Sequence, residues 1–527
     1  MRIAQLLLVL LMLAGCAKRD HQADQFQPDP SELVAAISIN PATLDPALSQ
    51  DTITNDLMLH VFEGLVGWSP DSKIVPKLAE TWLISPDGLT YTFLLREAKF
   101  HNGEYVTATD VLASWERAAR KEVASPVVEN YLGDIEGMKE LIKGKADHLR
   151  GVEVVKDRVL RVRLVAARAS FLGKLTYPTA AVLPAGTGLV RDVAHMIGTG
   201  PYRVVSYTPE AEIKLARFDD HYEHPPAVEQ LTYRVIKDPQ TRLGQFRTGR
   251  LDWTGLSQQD YLGLQGDPNI LFAARPATFY VGMNGTVYPP FADRRVRQAF
   301  NHAIDRRRLV EDVLGDLGVP AEGILPDAVP QLKRKKPTLE YDPGRAKRLL
   351  REARWEGKLP PLDLWVSDSQ GDRRRSAELV VSMLRENLDV PVQMRLVEAS
   401  VVIQKATRRE LGFFFGSWYA DYLDPENFLS VLLSSYGQNR TNWDNAEFTR
   451  LCRAADAMPD GPARLQAYAK AEDIALVDAP WIPLYHPREA VAMRPGLNGL
   501  QSNAFGLLPP TGVRRAATSP PLPGRSR

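Results

Sequence analysis

Leu411-Gly412-Phe413-Phe414-Phe415-Gly416-Ser417-Trp418-Tyr419-Ala420-Asp421-Tyr422-Leu423-Asp424-Pro425 reads as a short buried strand that runs out into an acidic, aromatic loop. The apolar run is too short for a stable helix and rich in Phe, which suits the interior of a sheet, and Asp424-Pro425 is a turn signal that ends it. One element thus brings a carboxylate and several aromatic rings to one place. Two readings are open at this point. Either Trp418 and Tyr422 are core aromatics and Asp421 caps a turn, or the loop faces a ligand and Asp421 receives an ammonium group.

Upstream, helical and strand patterns alternate. Val296, Ala299, Phe300 and Ala303 form one apolar stripe; Ala346, Leu349, Leu350 and Ala353 form a second, begun by Asp342-Pro343. Ala377, Val380, Val381, Leu384 and Leu388 make a third helix, which feeds the alternating strand Val390, Val392, Met394, Leu396; a helix from 401 to 411 then leads into the opening stretch. Such alternation predicts a sheet with helices on its faces. Further helices are expected at 445–457 and 462–477.

The N-terminal half is richer in strands. Leu33 to Ile39 reads as one, Tyr91, Phe93 and Leu95 share a face of a second, and residues 152–165 and 202–218 each form a hairpin. Helices are expected from 52 to 65, from Thr107-Ala108-Thr109-Asp110, whose spacing is that of a capping box, and from Asp238-Pro239 to Gly249. Gly198-Thr199-Gly200-Pro201 leads into a strand and not a helix, so it is no phosphate loop.

The chain has 527 residues, long enough for two or three domains with their own cores. With 65 basic against 64 acidic residues it lacks the basic excess that nucleic-acid binding requires. The runs Lys333-Arg334-Lys335-Lys336 and Arg373-Arg374-Arg375 read as solvated faces or loops. His221-Tyr222-Glu223-His224 is the most metal-like cluster, but His-x-x-His alone is unspecific, and no Gly-x-Ser-x-Gly or His-Glu-x-x-His motif supports a hydrolase.

Met1-Arg2 precedes an apolar run, Ile3 to Ala14, of signal-peptide and not membrane-span length. It ends in Leu13-Ala14-Gly15-Cys16, similar to a lipobox, which implies cleavage before Cys16, lipidation of its thiol and a membrane anchor; a plain secretory signal is the alternative. Residues 1–15 are then a signal peptide, 16–30 a lipidated flexible leash, and 512–527 a disordered tail. Cys452 is left unpartnered and reads as a small buried apolar residue.

Thr43-Leu44-Asp45-Pro46, Phe62-Glu63-Gly64-Leu65, Pro76-Lys77-Leu78-Ala79-Glu80-Thr81-Trp82, Asp87-Gly88-Leu89-Thr90-Tyr91, Phe100-His101-Asn102-Gly103, Gly198-Thr199-Gly200-Pro201-Tyr202, Val296-Arg297-Gln298-Ala299-Phe300, Tyr341-Asp342-Pro343, Trp418 to Pro425 and Ala479-Pro480-Trp481-Ile482-Pro483 occur in order. The set resembles the bacterial extracellular solute-binding proteins of family 5, which serve peptide and nickel ABC importers. The length of the 137–152 region is nearer to the oligopeptide binders.

The resemblance implies an α/β, two-lobed periplasmic-binding-protein fold (class C, type II-like) with an extra domain inserted in the N-terminal lobe. Residues 31–64, 195–283 and 490–511 would form lobe I, 65–194 the inserted domain and 284–489 lobe II. It implies a monomer, a membrane-anchored lipoprotein in the periplasm or at the outer face of the cell envelope, without catalysis, metal or cofactor, that captures peptides and delivers them to the permease and ATPase complex of an ABC importer. Carried onto this chain, Asp421 pairs with a peptide's α-ammonium, Trp418 packs beside it, Ser417 and Tyr419 offer backbone bonds, and Gln50 and Thr52 approach from the loop after Asp45-Pro46. A binder of another solute (metal chelate, haem or oligosaccharide) and a non-transport sensor or chaperone share the same fold.

Overall fold

The structure is a computed structural model that describes residues 29, 31–69, 71, 73–330, 340–367, 371–503, 505 and 510–515. The expected signal peptide, Cys16, the leash apart from Asp29, the run 333–336 and residues 516–527 lie outside the described residues.

Strand Trp481–Met493 joins the two halves of the molecule. Its first half pairs antiparallel with Ala277–Met283 and Gly318–Pro320, its second with Ile270–Ala274 and Trp253–Gly255. On one side the sheet continues through Glu32–Ile37, Gln230–Val235, Glu212–Arg217 and Tyr202–Thr208; on the other through Phe413–Tyr419, Leu362–Ser367 and Val392–Val397. Each side has its own core: Leu33, Val61, Tyr202, Leu215, Leu231 and Val491 in one, Val281, Phe300, Leu364, Leu384, Phe413 and Ile482 in the other. These are two lobes joined by two crossings of the chain.

The expected lobe boundaries shift accordingly. Strand Ala277–Met283, expected in lobe I, shares the core of lobe II, so the first crossing lies at Arg275-Pro276 and not after 283. The second falls inside one strand, where Pro487 pairs with Gly318 and Arg488 with Ala274. The tail also begins later than 512. Val513 is buried, Arg514–Arg515 pair with Leu497–Asn498, and Arg515 forms an ion pair with Asp252 at 2.6 Å.

The inserted domain is a four-stranded antiparallel sheet, ordered Ala79–Ile84, Thr90–Leu95, Val159–Arg163, Val152–Lys156. Tyr91, Phe93 and Leu95 point inward against Trp115 of helix Ala108–Ala119, which starts in the expected Thr107/Asp110 capping box. Its core runs from Leu65 to Val182, whereas Leu183, Val190 and Met196 pack into lobe I.

The motifs of the first 200 residues are joints. Asp45 is fully buried, caps the turn Pro46–Leu48 through the Ala47 amide at 3.0 Å, accepts from the Val190 amide at 2.9 Å and pairs with Arg117 of the inserted domain. Gly198 and Gly200 let their loop lie against the end of helix Thr52–Val61: a Cβ on either would stand 2.0 Å and 2.4 Å from the Val61 and His60 carbonyl oxygens. Helix Thr52–Val61 stops there, four residues short of the expected end.

Candidate ligand-binding site

The opening stretch forms strand Phe413–Tyr419, buried from Phe413 to Gly416. One edge pairs along its whole length with Ala277–Met283, from Met283 opposite Phe413 to Ala277 opposite Tyr419. The other edge meets Leu362–Ser367 only where Phe414 faces Trp365. Among the described residues, Phe415 to Tyr419 therefore have no strand partner on that side. An unpaired strand edge is a template for an extended chain.

Beyond the strand, Asn427 organises the loop. It is almost completely buried, and its Oδ1 accepts from Trp418 Nε1 at 2.9 Å and from the Asp421 amide at 3.2 Å, while its Nδ2 donates to Asp421 Oδ2 at 3.4 Å. The Tyr131 hydroxyl of the inserted domain stands beside the same carboxylate, and the Tyr131 ring stacks on Tyr177 at 3.8 Å between centroids. Asp421 is partly accessible, yet this crowding strips it of water: burial pushes its carboxyl up to about 6, against the lowering influence of Asn427 and Tyr131. No Lys or Arg among the described residues pairs with it. A carboxylate in such surroundings is energetically poor until a cation joins it.

Arg373, read from sequence as one of three solvated arginines, has a different role from its neighbours. Arg374 and Arg375 pair on the helix surface with Glu378 at 3.0 Å and Asp372 at 2.6 Å. Arg373 is half-buried, donates to Ser417 Oγ at 2.9 Å and Ser367 Oγ at 3.1 Å, and lies 5.4 Å from the Phe279 ring centre. No acid among the described residues pairs with it. The open strand edge thus carries an unpaired acid at one end and a cation without an acidic partner four positions back.

Of the other expected residues, Tyr419 is 46% exposed and packs edge-on to Phe279 at 6.0 Å. Gln50 and Thr52 are both exposed, at the start of helix Thr52–Val61. Their neighbours reach further inward: Asn55 Nδ2 donates to the Tyr177 hydroxyl at 3.3 Å, and that hydroxyl donates to the Ser49 carbonyl at 3.3 Å. Ser417, Trp418 and Asp421 thus come together, and Tyr419 borders them. Gln50 and Thr52 stand apart on the surface.

The loop also touches the inserted domain. Glu426 accepts from Ser170 Oγ and from Lys174 Nζ at 3.3 Å, and Lys174 also holds Asp134 at 2.7 Å. Burial alone would depress Lys174, but Tyr422, Glu426 and Asp134 hold its ammonium well above the usual lysine range. Asp424 is committed elsewhere, in a two-pronged pair with Arg464 at 2.8 Å on both oxygens.

The metal-like cluster disperses. His221 is buried with Nε2 3.3 Å from Glu63, Glu223 pairs with Lys77 at 3.1 Å, and His224 is exposed. Cys452 is fully buried, and burial pushes its thiol up. No helix among the described residues is long and apolar enough to cross a membrane.

Two lobes joined by two crossings, an inserted domain and an open strand edge beside an acid and an arginine make up the periplasmic-binding-protein fold. Residues 73–440 match "Bacterial extracellular solute-binding proteins, family 5 Middle", and the chain belongs to that family. It is 29% identical over 523 residues to "Di/tripeptide-binding protein 2" of Pseudomonas aeruginosa, with 93% of this chain and 95% of that protein covered. It is 27% identical over 499 residues to "Glutathione-binding protein GsiB" of Escherichia coli, covering 91% and 93%. Among solved structures it resembles the murein tripeptide binding protein MppA of Escherichia coli, with a TM-score of 0.77, 26% identity and coverage of 93% and 99%.

Proposed function

We propose that this protein captures peptides with a free N-terminus in the interlobe cleft and delivers them to an ABC importer. The observation that carries the reading is Asp421: an enclosed carboxylate without a cationic partner among the described residues, at the end of an unpaired strand edge. A peptide laid along that edge gains main-chain bonds that tolerate any sequence, with its α-ammonium on Asp421 and Trp418 as a rigid apolar neighbour. Arg373 supplies a guanidinium for a carboxylate further along the ligand. The names of the relatives, binders of di- and tripeptides and of glutathione, support the ligand class. The lipid on Cys16, the monomeric state and hand-over to the importer complete the proposal and follow from the sequence resemblance alone.

The test is native purification of the mature protein, mass spectrometry of what it carries, and calorimetry with small peptides. Peptides are expected in the cleft, and Asp421→Ala is expected to abolish their binding. Purified protein that carries no peptide and gives no heat or thermal shift with a peptide library would overturn the proposal, as would unimpaired binding by Asp421→Ala.

A further inference from the structure

Where strand Glu32–Ile37 begins, at the root of the chain that leads back to Cys16, arginines gather on one corner of lobe I. Helix Pro239–Arg247 ends there, its inner face packed through Leu243 and Phe246 into a small core with Val34 and Ala492. Arg247 in its last turn and Arg250 just beyond it are both exposed. Arg234, on strand Gln230–Val235, donates from Nη1 to the Arg250 carbonyl at 3.3 Å, and Arg494, directly after strand Trp481–Met493, donates from Nη1 to the Gly249 carbonyl at 3.0 Å. Arg515 completes the corner and donates to the Glu32 carbonyl at 2.9 Å.

Little acid answers these charges. Asp252, buried below them, is held by Arg515 at 2.6 Å and accepts from the Val34 amide at 2.7 Å. Among the described residues no carboxylate lies within ion-pair distance of Arg234, Arg247, Arg250 or Arg494. Asp238, which caps the helix, stands at its other end, about 14 Å away by the rise of nine residues. Arg234 and Arg494 brace the turn that ends the helix, whereas the side chains of Arg247 and Arg250 have no partner among the described residues. The helix dipole accounts for one cation at a C-terminus, but like charges crowded around one turn repel each other, a burden that the fold alone does not require.

Position points to the partner. Residues 16–30 separate Cys16 from Ser31 and span at most about 50 Å when fully extended. A lipid on Cys16 keeps the root of the chain, and this corner with it, within reach of a bilayer surface. We infer that the corner of lobe I around Arg247 and Arg250 docks on the anionic phospholipid headgroups of the membrane that holds the anchor, so that lobe I is held against the bilayer. The nearness of the membrane rests on the lipid-anchor reading above; the charge of the surface does not. Guanidinium groups pair with phosphate in a two-pronged fashion, and each basic residue beside an anionic leaflet raises partition about fivefold. A patch of this size is weak alone and effective beside a lipid chain, because stable anchoring takes two signals. With lobe I docked, lobe II still moves about the two strand crossings.

Co-sedimentation of the mature chain, kept unlipidated by Cys16→Ser, with vesicles of phosphatidylcholine alone or of equal parts phosphatidylcholine and phosphatidylglycerol tests this. Binding is expected to the mixed vesicles at low salt, not to phosphatidylcholine alone, and to disappear at high salt. Arg247→Gln/Arg250→Gln is expected to lower partition onto the mixed vesicles about 25-fold, fivefold per charge, with circular dichroism unchanged. Arg307→Gln, which removes an exposed arginine of lobe II, is expected to leave partition as it is. Equal sedimentation with both kinds of vesicle, a preference for the anionic vesicles that the double variant keeps, or an equal loss in Arg307→Gln overturns the inference. Mass spectrometry of the N-terminal peptide of the protein purified from its own membranes tests the anchor separately. If Cys16 carries no lipid, the anchor falls, and an anionic preference that depends on Arg247 and Arg250 still establishes the surface.

Discussion

Asn427 grips Asp421 twice, accepting the Asp421 amide at 3.2 Å and donating to the Asp421 carboxylate at 3.4 Å. One buried amide therefore sets both the backbone and the side-chain position of the acid, and its Oδ1 also fixes the Trp418 indole at 2.9 Å. Asn427→Ala strands two donors in a buried place, at a cost of about 1–3 kcal/mol in folding stability. Peptide affinity is expected to fall as well, because Asp421 loses its orientation. Urea unfolding together with calorimetry checks both, and an unchanged dissociation constant would show that Asn427 serves the fold alone.

The raised pKa of Asp421 has two consequences with opposite signs. Without ligand, the folded state holds the Asp421 proton more tightly than the unfolded chain, since about 6 exceeds the ordinary aspartate value of 3.8. Stability from this group is present below about 4 and is lost as pH climbs to about 6. Asp421→Asn is therefore expected to stabilise the ligand-free protein at pH 7.5 by about 1–2 kcal/mol, allowing for the group's partial exposure, with no gain at pH 4. Peptide affinity runs the other way: below about pH 6 the ammonium must displace a proton, so affinity drops about tenfold per pH unit. A flat affinity profile between pH 5 and 7.5 would contradict an Asp421 ammonium pair.

Arg373 is expected to read the ligand's free carboxylate. Arg373→Met should weaken free-acid peptides by about 10- to 100-fold, the range of one or two charge-assisted hydrogen bonds, and leave C-terminally amidated peptides nearly unaffected. Arg373→Lys should recover only part of the loss, because an ammonium lacks the planar fork that engages Ser367 and Ser417 together. Equal losses for acid and amide peptides would reduce Arg373 to a support for the strand.

Much of the fold could be read from the sequence because its signals are local. The capping box at Thr107, the stripe from Val296 to Ala303 and the alternation in Tyr91, Phe93 and Leu95 each predict an element without outside help. The strand that carries Trp418 was legible for the same reason. Arg373 was not: it lies in the first turn of helix Asp372–Leu388 within a run of three arginines, and only a contact 44 residues away separates it from its neighbours. Asn427 has no such signal, because an amide in a loop carries no pattern. The hinge was misplaced because a strand crossing between lobes looks locally like any other, and Pro483 and Pro487 disguise Trp481–Met493 as an interrupted segment.

The contact between Glu426 of lobe II and Lys174 and Ser170 of the inserted domain ties the binding loop to the opposite wall. Lys174→Met leaves buried Glu426 without its cation and Asp134 with Arg168 alone, at 3.4 Å, a defect that costs about 3–5 kcal/mol. Part of it is relieved by opening the lobes, which returns Glu426 to water, so the variant should trade closure for solvation. Peptide affinity is expected to fall and the radius of gyration with peptide, measured by small-angle scattering, to rise. In the double variant Lys174→Met/Glu426→Gln the uncompensated charge on the lobe II side is gone, and Ser170 still has an amide oxygen to donate to. Its affinity should therefore exceed that of Lys174→Met alone, a coupling that a double-mutant cycle measures directly. If the two substitutions prove additive and scattering is unchanged, the pair is a support for the loop and plays no part in closing the cleft.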